Sequence, residues 1–273
     1  DASVSWRGIR LPRGKTSLRI AQFTDLHYGE DEDGLWGPAQ DQNSTRVMRR
    51  IVALEDPDLV CFSGDLITGN NIASNATAYW DMAVSAACES RTPFLTVMGN
   101  HDDLASGSGG TKVELLRSEA LSARRCNTSS FTQIAKSPFL GSNAGVNYVV
   151  PVFVQGSDGL PSLLIFVLDS GGGQEKPNGV SPGQVEWMVE EQKRWNFSIP
   201  AILFVHIPAP AYADAYRENA GNFTERCWGM HREGGGAVME HGDGGLIANI
   251  TQGEARIDAI FVGHDHGNAW CCP

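Results

Sequence analysis

The chain has 273 residues, 41% hydrophobic and 19% charged, a balance that excludes a disordered tail, a collagen-like repeat and a coiled coil. Its net charge of −11 argues against a broad basic face for nucleic acid or an anionic membrane surface. Apolar runs such as 163–168 fall far short of the roughly 20 residues that span a bilayer, so no membrane span is expected.

Residues 18–23 form a short apolar run ending in Thr24 and Asp25. Val47, Ile51 and Leu54 then recur at helical spacing, which predicts a helix over 43–54 with Asn43 or Ser44 as its cap. A second run, 59–62, ends in Ser63-Gly64-Asp65; 76–89 reads as helix; a third run, 94–98, ends in Gly99-Asn100-His101-Asp102. Thr111 and Glu114 make a capping box ahead of a helix to about 121. Beyond a polar stretch, 122–145, the β-rich runs 148–154 and 163–168 are joined by Gly156-Ser157-Asp158-Gly159, which reads as a hairpin. Ser181-Pro182 starts a helix through Trp195, with proline where its missing N–H is harmless. The run 201–205 ends in His206, and 207–245 is loop-rich, with glycines at 234–236 and 244–245. The last run, 257–262, ends in Gly263-His264-Asp265-His266. Alternating strand and helix without a linker predicts one layered α/β domain over 1–273.

Cysteines at 61, 88, 126, 227, 271 and 272 allow up to three disulfides; Cys61 sits in an apolar run, where a free buried thiol is common, and Cys227 is placed to pair with Cys271 or Cys272. Six glycosylation sequons begin at Asn43, Asn75, Asn127, Asn196, Asn222 and Asn249, where roughly two are expected by chance. The excess predicts N-glycans at these positions and a secreted or lumenal (vacuolar or lysosomal) location. The chain opens Asp1-Ala2-Ser3 with no apolar leader, which reads as processed or trimmed.

Five strand-like runs thus end in polar clusters, and five of the seven histidines (27, 101, 206, 264 and 266) fall inside them. Open α/β sheets place their sites beyond the carboxyl ends of strands. Aspartate, asparagine and histidine without cysteine suit Zn, Mn or Fe rather than an all-oxygen cage. Side chains two apart on extended chain face the same way, so Asp25 and His27 can grip one ion, and His264 and His266 two adjacent ones. Gly64, Gly99 and Gly263, just before these residues, permit tight turns and close backbone approach.

In this order, Asp25-x-His27, Gly64-Asp65, Gly99-Asn100-His101-Asp102, His206 and Gly263-His264-Asp265-His266 resemble the calcineurin-like metallophosphoesterases. The strings Phe62-Ser63-Gly64-Asp65 and Gly263-His264-Asp265-His266-Gly267-Asn268 are most similar to the purple-acid-phosphatase-related branch. The resemblance implies a four-layer α/β/β/α sandwich of two mixed sheets flanked by helices. It also implies two di- or trivalent ions (Fe, Zn or Mn) and a bridging hydroxide. One ion would take Asp25, His27, Asp65 and His266, and the other Asp65, Asn100, His206 and His264, with Asp65 shared. His101 would be the acid facing the leaving group, with Asp102 as the orienting group beside it in the catalytic pair. The implied activity is a phosphoric ester hydrolase, a secreted phosphomonoesterase of the acid-phosphatase kind, acting on a small-molecule or protein phosphoester. The alternatives are a phosphodiesterase or pyrophosphatase on the same centre, and a catalytically decayed glycoprotein binding module. Two departures stand out. Thr68 occupies the position of the tyrosine ligand of purple enzymes, and His27 stands where they usually lack a histidine, so a colourless or weakly coloured protein is expected. The sequence also stops at Pro273, whereas the family continues past its final histidine motif with further strands.

Overall fold

Described here is a computed structural model covering residues 7–102, 111–140, 145–156, 159–173, 177–218, 227–231 and 237–272; Ser157-Asp158, Asn222 and the 234–236 glycines lie outside these residues, as does the His231 side chain. The first half runs β1 (Ile9–Leu11), β2 (Ile20–Phe23), α1 (Gly37–Glu55), β3 (Leu59–Ser63), α2 (Ala76–Ala83), α3 (Ser85–Ser90), β4 (Phe94–Val97) and α4 (Lys112–Arg125). Strands β2, β3 and β4 pair in that order and are parallel throughout, with Cys61 opposite Gln22 on one side and Leu95 on the other. Parallel neighbours need long crossovers, which the helices supply. All five residues of β3 are buried, as expected of a central strand covered on both faces.

The second half adds β5 (Tyr148–Val154), β6 (Leu163–Leu168), α5 (Pro182–Trp195), β7 (Ala201–Val205), α6 (Pro210–Glu218), β8 (Trp228–His231), α7 (Leu246–Thr251), β9 (Ala259–Phe261) and β10 (Asn268–Cys271). The five-stranded sheet has the order β1-β5-β6-β7-β9 and is antiparallel only at the expected β5–β6 hairpin. A separate antiparallel ribbon pairs β8 with β10.

Alternation along the strands builds the layers. Tyr148, Val150, Ile165, Val167 and Phe204 face the three-stranded sheet and join its core with Phe62, Phe94, Met48 of α1 and Leu115 of α4. Their neighbours Val149, Leu164, Phe166, Leu203 and Val205 face the other way, onto Val185 and Met188 of α5 and Leu246 of α7. Each such aliphatic or aromatic side chain removed from water contributes about 1.5–3 kcal/mol. The result is helices, parallel sheet, mixed sheet, helices: the four layers implied above, with one sheet parallel rather than mixed.

Several local expectations are corrected. The first long helix begins at Gly37, with Pro38 in its first turn, so Asn43 and Ser44 lie inside it and cap nothing. Its stripe of Val47, Ile51 and Leu54 is 51%, 36% and 62% exposed, whereas Met48 and Val52 are buried. The 76–89 helix is broken at Val84 into α2 and α3. The loop-rich 207–245 stretch holds α6 and β8. Cys88 pairs with Cys126 and Cys227 with Cys272; Cys61 is a buried free thiol, as expected, and Cys271 an exposed one. No helix among the described residues is long and apolar enough to cross a membrane.

Candidate metal centre

The ends of β2, β3, β4, β7 and β9 converge between the two sheets. Backbone pairing continues past the strands, with Asp25 N–H donating to Gly64 O and His27 N–H to Asp65 O, both at 3.0 Å. On the other sheet Gly263 N–H donates to His206 O at 2.9 Å. Within this frame Asp25, His27, Asp65 and His264 all take positive φ, between 50° and 73°. For non-glycine residues this costs on the order of 1–3 kcal/mol each and collects where function demands it. The preceding glycines leave room: a Cβ on Gly64 (φ +100°) would lie 2.2 Å from His206 Nδ1, one on Gly99 2.2 Å from Asp65 Oδ1, and one on Gly263 2.8 Å from Asp25 Oδ2.

Donor atoms of Asp25, His27, Asp65 and His266 lie within 4.8 Å of one another, and so do those of Asp65, His206 and His264. Asp65 belongs to both groups. His27 Nε2 faces His266 Nε2 at 3.1 Å and Asp65 Oδ2 at 3.7 Å, while His206 Nε2 stands 3.2 Å from the same Asp65 oxygen. Asp65 Oδ2, His206 Nε2 and Asn100 Oδ1 are buried without hydrogen-bond partners. Orphaned polar atoms inside a protein are costly, and three of them among facing carboxylates and imidazoles fit cations in both character and placement.

The electrostatics agree. Burial opposes the protonation of His206, yet the Asp65 and Asp25 carboxylates overcome it and raise its pKa to about 9. Burial likewise opposes ionisation of Asp65, and the neighbouring His206 and the His101 amide still hold its pKa well below the usual carboxylate range. His264, desolvated and beside His206, falls to about 4.

A family profile described as calcineurin-like phosphoesterase matches residues 18–268. The chain belongs to that family. Two Arabidopsis thaliana relatives, "Probable inactive purple acid phosphatase 14" and "Probable inactive purple acid phosphatase 28", are 27% and 26% identical over 93% and 98% of this chain and 67% and 72% of their own. "Phosphatase DCR2" of Saccharomyces cerevisiae is 24% identical over 93% of this chain, which spans 45% of that protein. A dimetal phosphatase from Danio rerio shares the fold, with a TM-score of 0.56 and 14% identity over 91% of this chain and 82% of its own.

In this calcineurin-like phosphoesterase the remaining sequence candidates separate. His101 is half-buried, with its amide donating to Asp65 Oδ1 at 2.8 Å, Nδ1 2.9 Å from Asn70 Oδ1, and its ring 5.0 Å from that of His27. Asp102 is fully buried and accepts from Gly99 N–H at 2.8 Å and Ile67 N–H at 3.1 Å, so it shapes the turn and meets no solvent. Burial, then the charge of Asp65, raise its pKa to about 7. Supporting residues escaped the sequence reading. Thr68 Oγ1 lies 2.9 Å from His27 Nδ1 and His206 Nδ1 2.9 Å from Ser63 O, which leaves each Nε2 for the centre. Thr68 stood out in the sequence as the residue in the tyrosine position and not as a support, and Asn70 carries no signal beyond its closeness to Asp65.

Proposed function

We infer that this chain is a metal-dependent phosphoric ester hydrolase acting on phosphomonoesters, with residues 1–273 serving as one catalytic domain. The observation carrying this reading is the pair of donor groups that share Asp65, with buried, unpartnered oxygen and nitrogen atoms at their centre. Asp25, His27, Asp65 and His266 would hold one ion, and Asp65, Asn100, His206 and His264 the other; Zn, Mn and Fe match this donor set. Bound there, two cations supply charge for a phosphoryl group and a water activated near neutral pH. Asp65 keeps both half-sites in register, and Thr68 and the Ser63 carbonyl fix the imidazole orientations. His101, whose Nδ1 lies 2.9 Å from Asn70 Oδ1, would present Nε2 to a departing alkoxide, with Asp102 holding the turn that carries it.

The two Arabidopsis thaliana relatives named above bear the word inactive in their names, and that word belongs to them. A decayed binding module would be expected to lose ligands, and here none of the seven is missing from the sequence. A secretory location is supported by the Cys88–Cys126 and Cys227–Cys272 disulfides and by exposed acceptors at Asn43, Asn75, Asn127 and Asn196. Asn249 is half-buried, with its amide donating to Gly245 O at 2.9 Å. The test is hydrolysis of p-nitrophenyl phosphate against bis-p-nitrophenyl phosphate after loading with Zn²⁺, Mn²⁺ or Fe. Monoester turnover that chelation abolishes is expected, with no intense visible band in the iron-loaded protein. A loaded protein that cleaves only the diester removes the monoesterase reading, and one inert to both removes the enzymatic reading.

A further inference from the structure

The end of β6 carries no histidine and stands apart from the five polar clusters; its run continues as Asp169-Ser170-Gly171-Gly172-Gly173. The fold nevertheless brings this turn against the site. Ser170 is fully buried, and its Oγ accepts at 3.0 Å from the N–H of Ile207, the residue after His206. Gly172, at φ +83°, lies against Asn100: a Cβ there would sit 2.7 Å from Asn100 Cβ and 3.3 Å from Ile207 Cδ1. Two positions of one turn, Ser170 and Gly172, thus lie directly against the two strand ends that carry His206 and Asn100.

The turn is itself held from several directions. The Asp169 carboxylate accepts from Gly171 N–H at 2.9 Å and Val146 N–H at 3.0 Å, and Lys112 Nζ of α4 stands 3.7 Å from it. Gln184 of α5 donates to Asp169 O at 2.7 Å, and Gly179 N–H to Ser170 O at 2.7 Å. Helix α4, helix α5 and the entry to β5 therefore converge on a turn whose residues belong to neither of the two donor groups. The backbone N–H of Ile207 is buried, so removing its acceptor leaves it unsatisfied and loosens the segment that carries His206.

We propose that the 169–173 turn is the positioning support of one half of the dimetal centre: Ser170 and Gly172 hold His206 and Asn100 in place and so set occupancy of the second ion, while the half built on Asp25, His27 and His266 does not depend on them. This rests on the dimetal reading above. Supports of this kind alter metal affinity by roughly 10–100-fold. The experiment titrates wild-type protein, S170A, G172A and G253A with Mn²⁺, counting ions by elemental analysis and distinguishing coupled from isolated Mn²⁺ by electron paramagnetic resonance. Gly253 shares the left-handed backbone (φ +76°) with nothing within 4 Å of a Cβ, so G253A isolates backbone strain. Two ions with a coupled signal are expected in wild type and G253A. In S170A and G172A one ion should stay tight, the other should weaken roughly 10–100-fold, and the coupled signal should give way to an isolated one. Equal affinity for both ions in folded S170A and G172A, or equal weakening of both, overturns the proposal alone. If G172A does not fold, S170A, which leaves the backbone conformation untouched, carries the same two outcomes. A wild type that holds no Mn²⁺ overturns the dimetal reading, and this proposal with it.

Discussion

Glu119 of α4 is a buried carboxylate that the metal centre does not use. Its oxygens accept from Trp80 Nε1 at 3.2 Å, Thr96 Oγ1 at 3.0 Å, Thr132 Oγ1 at 2.6 Å and the hydroxyl of Ser130, so one side chain ties α2, α4, β4 and the 130–132 segment together. Burial raises its pKa above the usual value against the pull of those donors. A raised native pKa means that the folded state keeps a proton the unfolded chain has released. The stability this contributes is full below the unfolded value of about 4.3 and is lost as pH rises through the native one. Glu119→Gln cannot titrate and turns an amide toward two donors, which should cost about 1–3 kcal/mol. The deficit of E119Q against wild type should therefore shrink from pH 4 to pH 7 in urea unfolding curves, and a constant or growing deficit would refute this account. The seven proposed ligands were legible because Asp, Asn and His cluster at the ends of five strand-like runs in the order of the family that the sequence resembles. Their supports were not. Ser63, Thr68 and Ser170 are ordinary residue types, and the Ser63–His206 contact spans 143 positions.

Helix α1 shows where periodicity misleads. Val47, Ile51 and Leu54 make a regular stripe, but the face that packs is Asp41, Met48 and Val52, roughly a third of a turn away around the helix at 100° per residue. Two candidate stripes share one helix, and the sequence holds nothing local to choose between them. The choice is tertiary: Tyr28 OH meets Thr45 Oγ1 at 2.6 Å, and Asp41 Oδ2 accepts from Gly29 N–H at 3.3 Å, which rotates the inner face toward the loop after β2. Met48→Ala should cost about 2–5 kcal/mol by leaving a cavity, whereas Val47→Lys should stay within about 0.5 kcal/mol. Chemical denaturation decides between the faces, and a larger loss for V47K would mean that this helix is turned the other way in solution. Strands were easier to read, because an apolar run of four to seven residues between polar turns has few other fates. The short β1 and β10 escaped, since their pairing partners, β5 and β8, lie far along the chain.

Across the whole molecule the charge balance is unfavourable to the site it carries. The chain has a net charge of −11, and Asp25, Asp65 and Asp102 are drawn into one region where water cannot screen them well. Protonated His206 offsets part of that repulsion, but a single imidazolium cannot satisfy both donor groups, and Asn100 Oδ1 remains unpartnered. Cations that bind the folded chain and not the unfolded one must then stabilise it, by about 2.7 kcal/mol for each site at which free metal is 100 times the dissociation constant. For a domain of this size that corresponds to a rise in Tm of roughly 5–10 °C. Loading with Zn²⁺ or Mn²⁺ should produce the shift in a thermal scan, chelation should reverse it, and Asp65→Asn, which weakens the shared ligand, should remove most of it. Salt separates this from general charge neutralisation: 0.5 M NaCl screens the surface but reaches buried donors poorly, so the metal-dependent rise should survive it. If the rise vanishes in salt, or if D65N shows it undiminished, the cations are acting on the acidic surface and not between the sheets.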